Sequence, residues 1–286
     1  MLYRRHILLG SLITLISLTS CSTAPRLPKG KLTIGVVAYG DATRSIEQYS
    51  QLVEYLSQQT NSVIELEPAF NERKALDQIA RQAWSIVFAP SGLTAIAIDR
   101  HQYIPIFPTR EGALARSVIV VKTDSTIQKL ADLANQPMAL GQPGSATGYY
   151  LPLYDLYGLT LAELRFAPTP KNGLEWVAAG EVTATALAKG EFDSLKTAFP
   201  NNSFRILHTS RPIPGGAVLL GPSVDRNQQD LIVKAMNDLP PNVVETIGYI
   251  PNSEVSDYQY LIDLIRKIKP IENQVTQKPA VLFLKK

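Results

Sequence analysis

Apolar strand runs alternate with helical runs from residue 31 onward, and this alternation restricts the fold more than any other feature of the chain. "KLTIGVVAY" (31–39) reads as a strand. Residues 45–58 come next, with Ile46, Tyr49, Leu52, Val53 and Leu56 on one helical face. "VIELEPA" is a second strand, 72–82 a second helix, "WSIVFAP" a continuous apolar strand, and "GLTAIAIDR" the start of another helix. The middle of the chain repeats the pattern with "RSVIVVK", "IQKLADLAN", "PMALGQ", a turn at Gly144, a helix from about Tyr149, and "LRFAPT". Such an order predicts an α/β fold with largely parallel sheets. In "FRILHTSRPIPGGAVLLGP" prolines and glycines separate apolar strands, which predicts a crossover rather than an element interior. Helices are expected at 227–239 and 256–269, and no sequence repeat is visible. With 45% hydrophobic residues the chain can bury one large core or two modest ones. The expected organisation is two α/β lobes, residues 31–115 with 214–286 as the first and 116–213 as the second. The crossings fall near Ala115-Arg116 and Ser210 to Pro214.

The front end reads separately. Arg4-Arg5, the apolar run from Ile7 to Leu18, and small residues after it have the form of a secretory signal. The run is shorter than the ~20 apolar residues a membrane-spanning helix needs. Leu18-Thr19-Ser20-Cys21 resembles the bacterial lipobox, whose cysteine is lipidated and becomes the new N-terminus. The expectation is a lipoprotein signal peptide over 1–20, a tether over 21–30, and an extracytoplasmic domain lipid-anchored to the bacterial membrane through Cys21. Cys21 is the single cysteine, so neither a disulfide nor a thiolate metal site is available. The net charge of +3 owes two units to Arg4 and Arg5, and no basic footprint for nucleic acid remains.

Catalytic patterns are missing. No H-E-x-x-H or Asp-rich calcium loop occurs, and the Ser145 turn is neither G-x-S-x-G nor a phosphate-binding loop with Gly-Lys-Ser/Thr. His101 and His208, each near a loop or strand end, read as surface or packing residues. No enzyme activity and no metal, nucleotide or redox cofactor are expected. What stands out is "GQPGSATGYYLP" (141–152). Gly144-Ser145-Ala146-Thr147-Gly148 is an ordinary Ser/Thr helix cap on one reading. On the other, its hydroxyls and the unpartnered N–H groups of a helix start hold an anion.

The neighbouring segments carry a family pattern. Asp124-Ser125, Leu130-Ala131-Asp132-Leu133, the stretch from Pro143 to Tyr149, and the crossover from Ser210 to Pro214 resemble the phosphate/phosphite/phosphonate-binding proteins of ABC importers. The likeness is strongest over Arg116 to Pro222 and thinner over 31–110, where "IGVVAYGD" and "FAPSGLTA" keep the outline. It implies a type II periplasmic-binding-protein fold, two α/β lobes on a two-strand hinge with the ligand in the cleft. It further implies that Ser145, Ala146, Thr147 and Gly148 hold a small oxyanion, the family's Ser-Thr-Ser having become Ser145-Ala146-Thr147. Tyr39 and Ser91 would face the ligand from the first lobe, although a rim tyrosine and a plain cap explain them equally well.

Family members that take aminoalkyl phosphonates carry a histidine after the anion turn and an acid further on. This chain has Asn172-Gly173 and then Thr183 and Thr185 at those places, with Glu175 and Glu181 as stand-ins or solvated surface residues. The expectation is therefore phosphate, phosphite or a simple phosphonate rather than aminoethylphosphonate. Arg116, beside the proposed hinge, is a further candidate contact. The partners implied are an ABC permease and the membrane, with the receptor itself a monomer. Two other readings fit the same fold, a sensing protein that reports closure to a signalling partner and a receptor for a non-phosphorus ligand.

Overall fold

The computed structural model describes residues 30–39, 42–110, 114–200 and 203–284, so the leader, Cys21 and nearly all of the tether lie outside the described residues. The first lobe opens with β1 (Lys31–Val37), α1 (Ala42–Thr60), β2 (Val63–Ala69), α2 (Glu72–Ala80), β3 (Ile86–Ala89), α3 (Ser91–His101) and β4 (Ile104–Pro108). The chain leaves through β5 (Leu114–Ala115). The second lobe holds β6 (Ser117–Lys122), β7 (Pro137–Leu140), α4 (Leu151–Asp155), β8 (Thr160–Leu161), β9 (Glu163–Phe166), α5 (Pro170–Ala179), β10 (Ala184–Ala188), α6 (Lys189–Leu195) and β11 (Phe204–Thr209). It returns through β12 (Ile213–Pro214) to β13 (Ala217–Leu220), α7 (Arg226–Asn237), α8 (Pro241–Ile247), α9 (Gln259–Ile268) and β14 (Ala280–Val281).

The two five-stranded sheets share one plan, β2-β1-β3-β13-β4 in the first lobe and β9-β7-β10-β6-β11 in the second. In each, three strands run parallel, and the strand arriving from the other lobe inserts antiparallel between the third and the last. Four of the five strands in each sheet therefore run in one direction, the largely parallel arrangement expected, with one antiparallel strand inserted in each. β13 and β6 enter directly from the crossings without a helix to turn them round, so they run against their neighbours. The crossings themselves pair, Ile213 with Ala115 and Pro214 with Leu114, as a two-stranded antiparallel ribbon. Arg116 is used here. Its guanidinium donates to the Ser210 carbonyl at 2.9 Å, and the Ser117 N–H donates to Ser210 Oγ at 2.9 Å, which locks the two crossing strands together.

Helices cover the sheets as their patterns require. Tyr49, Leu52 and Leu56 of α1 are buried, Tyr49 lying edge-on to Phe88 at 4.9 Å between centroids. Ile46 is 53% exposed, so the apolar stripe begins one turn later than its spacing suggests. "IQKLADLAN" forms one turn of 3-10 helix (Leu130–Leu133), with the Asp132 carboxylate accepting from the N–H groups of Gln128 and Lys129.

The C-terminal segment does more than complete the first lobe. α9 buries Leu261, Ile262, Leu264, Ile265 and Ile268 and packs on α3 of the first lobe and α4 of the second. Just before it, the Tyr258 hydroxyl donates to the Gly215 carbonyl beside the hinge at 2.6 Å. β14 then pairs antiparallel with β8 in the second lobe. The chain therefore crosses between lobes a third time, where the expected boundaries kept residues 214–286 wholly with the first. One apolar cluster runs unbroken from Trp84 and Leu93 through Tyr149 and Leu153 to Leu261 and Ile268. Among the described residues no helix is long and apolar enough to cross a membrane.

Candidate functional site

Because the sheets share a plan, β1 and β7 are equivalent strands, and both lead into the cleft at their C-terminal ends, where open α/β sheets hold ligands. The turn after β7 is closed by the Gly141 N–H donating to the Gly148 carbonyl at 2.8 Å. Gly144 has φ +109°, a value that L side chains rarely adopt. Ser145 caps a single wide turn over Ala146–Tyr150 that runs into α4. Its Oγ accepts from the Gly148 N–H at 3.0 Å, while its carbonyl accepts from both Tyr149 and Tyr150. The N–H groups of Ala146 and Thr147 find no acceptor among the described residues. A cap bond and two N–H groups without an acceptor among the described residues thus coexist in one turn.

The first lobe contributes a residue that the sequence did not single out. Glu72, the first residue of α2, is 5% exposed and lies against this turn. Tyr39, just after β1, donates its hydroxyl to Glu72 Oε1 at 2.5 Å, and the Ser145 hydroxyl bonds the same carboxyl group. A Cβ added to Gly144 would sit 2.9 Å from that of Glu72. Burial pushes the Glu72 carboxyl above its ordinary 4.5, and the Tyr39, backbone and Ser145 hydrogen bonds pull it back only in part.

This raised carboxyl makes stability depend on pH. The folded chain holds the Glu72 proton more tightly than the unfolded chain, so this residue's contribution is full below the ordinary value and is lost as pH rises through the raised one. Denaturant melts of the ligand-free protein should lose stability on raising the pH from the ordinary value of 4.5 toward neutrality. Glu72→Gln should flatten that decline, and an equal decline in both proteins would refute the assignment.

Between the lobes lies a nearly shut cavity of about 10 Å³, close to the minimum for one water. Ser145, Gly148, Thr169, Thr185 and Glu191 line it from the second lobe, and Glu72 closes it from the first. No lysine or arginine is on its wall. The lobes touch beside it. A methyl group at Gly92 in α3 would collide with the Gly144 carbonyl oxygen and lie 2.5 Å from the Ala146 nitrogen.

Of the residues read from the sequence, Ser145 and Gly148 line the cavity, and Tyr39 reaches it through Glu72. Ala146 and Thr147 offer backbone N–H groups rather than wall, and the Thr147 carbonyl accepts from Ser117 Oγ at 2.5 Å. Ser91 is buried at the first position of α3, makes no capping bond, and stands next to Gly92. Glu175 pairs with Lys171 and accepts from Asn172, and Glu181 faces Arg165, all away from the cavity. His208 faces Asp155 at 3.0 Å, and His101 lies on a separate opening.

The threonines that stand where the family's acid is expected are not the whole of the wall. Thr185 does line the cavity, but Glu72 and Glu191 line it too, from helices that the local segment could not reveal. The available signal was Asn71-Glu72 at the mouth of the first lobe. Asn71 accepts from the Lys74 N–H as an N-cap, and an acid in the first helical turn reads as dipole compensation.

Comparison with known proteins bears on the family and the fold. Residues 34–260 match the family model described as the periplasmic phosphonate substrate-binding protein of ABC transporters. No curated protein matches the chain. Among solved structures, XAC2383 from Xanthomonas citri, bound to chloride, superposes with a TM-score of 0.71 at 19% identity, covering 84% of this chain and 99% of that one. PhnD1 from Prochlorococcus marinus, in complex with methylphosphonate, gives 0.68 at 15% identity over 84% and 99%. A binding protein component of an ABC phosphonate transporter from Pseudomonas aeruginosa gives 0.66 at 14% over 86% and 87%.

Proposed function

The chain belongs to the periplasmic substrate-binding proteins of ABC phosphonate transporters, and from that membership we propose that it is a lipid-anchored receptor for a small phosphorus oxyanion. Membership carries an extracytoplasmic location and a transport role, with a small ligand and an ABC permease as partners. The finer reading is ours. Phosphate, phosphite or a simple phosphonate is held without covalent chemistry between the lobes, and the closed form hands it to the permease. The observation that supports it most is the turn after β7. There Ser145 lines the space between the lobes, and the N–H groups of Ala146 and Thr147 have no acceptor among the described residues.

One observation favours a second reading. A wall with Glu72 and Glu191 and no cation suits a ligand that brings positive charge or donors of its own, including a non-phosphorus compound. The two readings separate in a thermal-shift panel of phosphate, phosphite, methylphosphonate, aminoethylphosphonate and sulfate. Ligand at 100 times its Kd adds ~2.7 kcal/mol of stability, a shift of several degrees at ~2–4 °C per kcal/mol. Ser145→Ala should weaken binding about tenfold, the scale of one hydrogen bond to a charged group. Thr147→Val, which keeps its N–H, should weaken it less. Unchanged affinity in both single variants and the double would remove the turn from the site. A panel without any shift would turn the cleft over to the second reading.

A further inference from the structure

We propose that the protein has a second ligand site, on the far side of the Ser145 turn from the cleft, which takes a ring-bearing carboxylate and holds the two lobes together. Its action on the cleft rests on reading the cleft as the receptor site; the second site itself does not. The turn and α2 each face two cavities. Ser145 and Gly148 of the turn and Glu72 of α2 line the small one between the lobes. Pro143, Tyr149 and Tyr150, with Arg73, Leu76 and Asp77 of α2, line the other. Its volume is about 360 Å³, against about 10 Å³ for the first, and is within the range of small-molecule sites.

The floor of this second cavity is apolar and aromatic. Ile96 of α3 and both tyrosines are buried there. The tyrosine rings meet edge-on at 4.9 Å between centroids, and Phe166 of β9 lies 5.9 Å from Tyr149. The two hydroxyls differ. That of Tyr150 bonds the Gly144 carbonyl and the Glu272 side chain. That of Tyr149, a residue only 2% exposed, has no hydrogen-bond partner among the described residues. The charges of Arg73 and Glu272 both reach it, so it faces the charged rim of the cavity. Burial keeps it protonated and hence a donor. Such a group is costly to bury unless an occupant of the cavity accepts its proton in a hydrogen bond.

Around the rim, Arg73, Arg100 and Lys269 outnumber the acids Asp77 and Glu272. Lys269 is taken by Glu272 at 2.7 Å. Arg100 reaches only the neighbouring Asp99 among the described residues, at 3.5 Å, and that carboxylate is also held by Arg266. Arg73 and Asp77, a turn apart on α2, form no ion pair among the described residues. His101 is held below its ordinary 6.5 by burial and by Arg100, so it presents a neutral ring. The cations with least claim on them are therefore Arg73 and Arg100, above an aromatic floor. A guanidinium fork matches a carboxylate, and aromatic side chains take a flat ring. The walls come from both lobes and from Lys269, Glu272 and Thr276 of the C-terminal segment. An occupant consequently bridges elements that must separate for the cleft to open.

The test is calorimetric binding of indole-3-acetate to the purified full chain, with acetate and indole as controls that lack the ring or the charge. The parent should bind indole-3-acetate at least tenfold more tightly than either control. The double variant Arg73→Ala/Arg100→Ala, at two exposed positions, should keep the parent's melting temperature. It should lose about tenfold in affinity or more, the scale of a hydrogen bond to a charged group. Tyr149→Phe, which removes only the hydroxyl, should weaken binding severalfold. Gly92→Ala, whose methyl keeps the lobes apart, should bind the probe about tenfold less well. No preference over the controls, or parent-like affinity in the double variant, would overturn the site. Parent-like affinity in Gly92→Ala would overturn its hold on both lobes. Methylphosphonate and the probe should each tighten the other by the same factor, and independent binding of the two would overturn the action on the cleft. A chain that binds the probe but not methylphosphonate would refute the receptor reading and leave the second site in place.

Discussion

Gly92→Ala should abolish high-affinity ligand binding while leaving the protein folded. In the closed arrangement the added methyl collides with the Gly144 carbonyl oxygen and meets the Ala146 nitrogen at 2.5 Å. Both are backbone atoms of a turn that is itself closed by the Gly141–Gly148 bond, so neither can move aside cheaply. In an opened cleft the same methyl has no partner to strike. Alanine is also the better helix former, by up to ~1 kcal/mol in a helix interior. The variant should therefore melt at or above the temperature of the parent. The ligand that shifts the parent should bind it a hundredfold or more weakly, about 3 kcal/mol, because only one lobe can contact it at a time. Parent-like affinity in Gly92→Ala would show that α3 and the turn need not touch when ligand is held.

The second large effect concerns stability. Leu261→Ala removes a fully buried side chain from α9 at the apolar cluster common to both lobes. Leucine-to-alanine changes in well-packed cores cost about 2–5 kcal/mol, which for a chain of this size lowers the melting temperature by roughly 5–15 °C. Leu231→Ala on α7, at a residue 48% exposed, is the matching control and should change stability by no more than about 0.5 kcal/mol. A loss in Leu261→Ala no greater than in the control would mean that α9 is only loosely docked.

Features legible in the sequence and features hidden from it divide along the range of the interactions. β2 occupies the residues read from "VIELEPA", and α2 and α3 start within a residue of their expected places, because apolar spacing and caps are local signals. The Ser145 turn was visible for the same reason, since glycine and hydroxyl residues within five positions describe a backbone shape. The direction of β6 and β13 was not visible. Nothing inside either strand states which neighbours it will insert between. Glu72 was hidden more completely. Its chemistry depends on Tyr39 and on Ser145, a position just past a strand in one lobe and a turn in the other, and by itself "NERKAL" is the start of an ordinary amphipathic helix. The pairing of β14 with β8 is equally long-range, and its two-residue strands are too short to show a period.

That last pairing has a mechanical consequence. The described chain starts at β1 in one lobe and finishes at β14, bonded to the other. Its two ends consequently ride on opposite jaws, and their separation becomes a gauge of how far the jaws are open. A fluorophore pair placed near Gly30 and Leu284 would turn ligand capture into a change in a single distance. A tether at the front end would, for the same reason, hold one jaw still beside the membrane and leave the other to do the swinging.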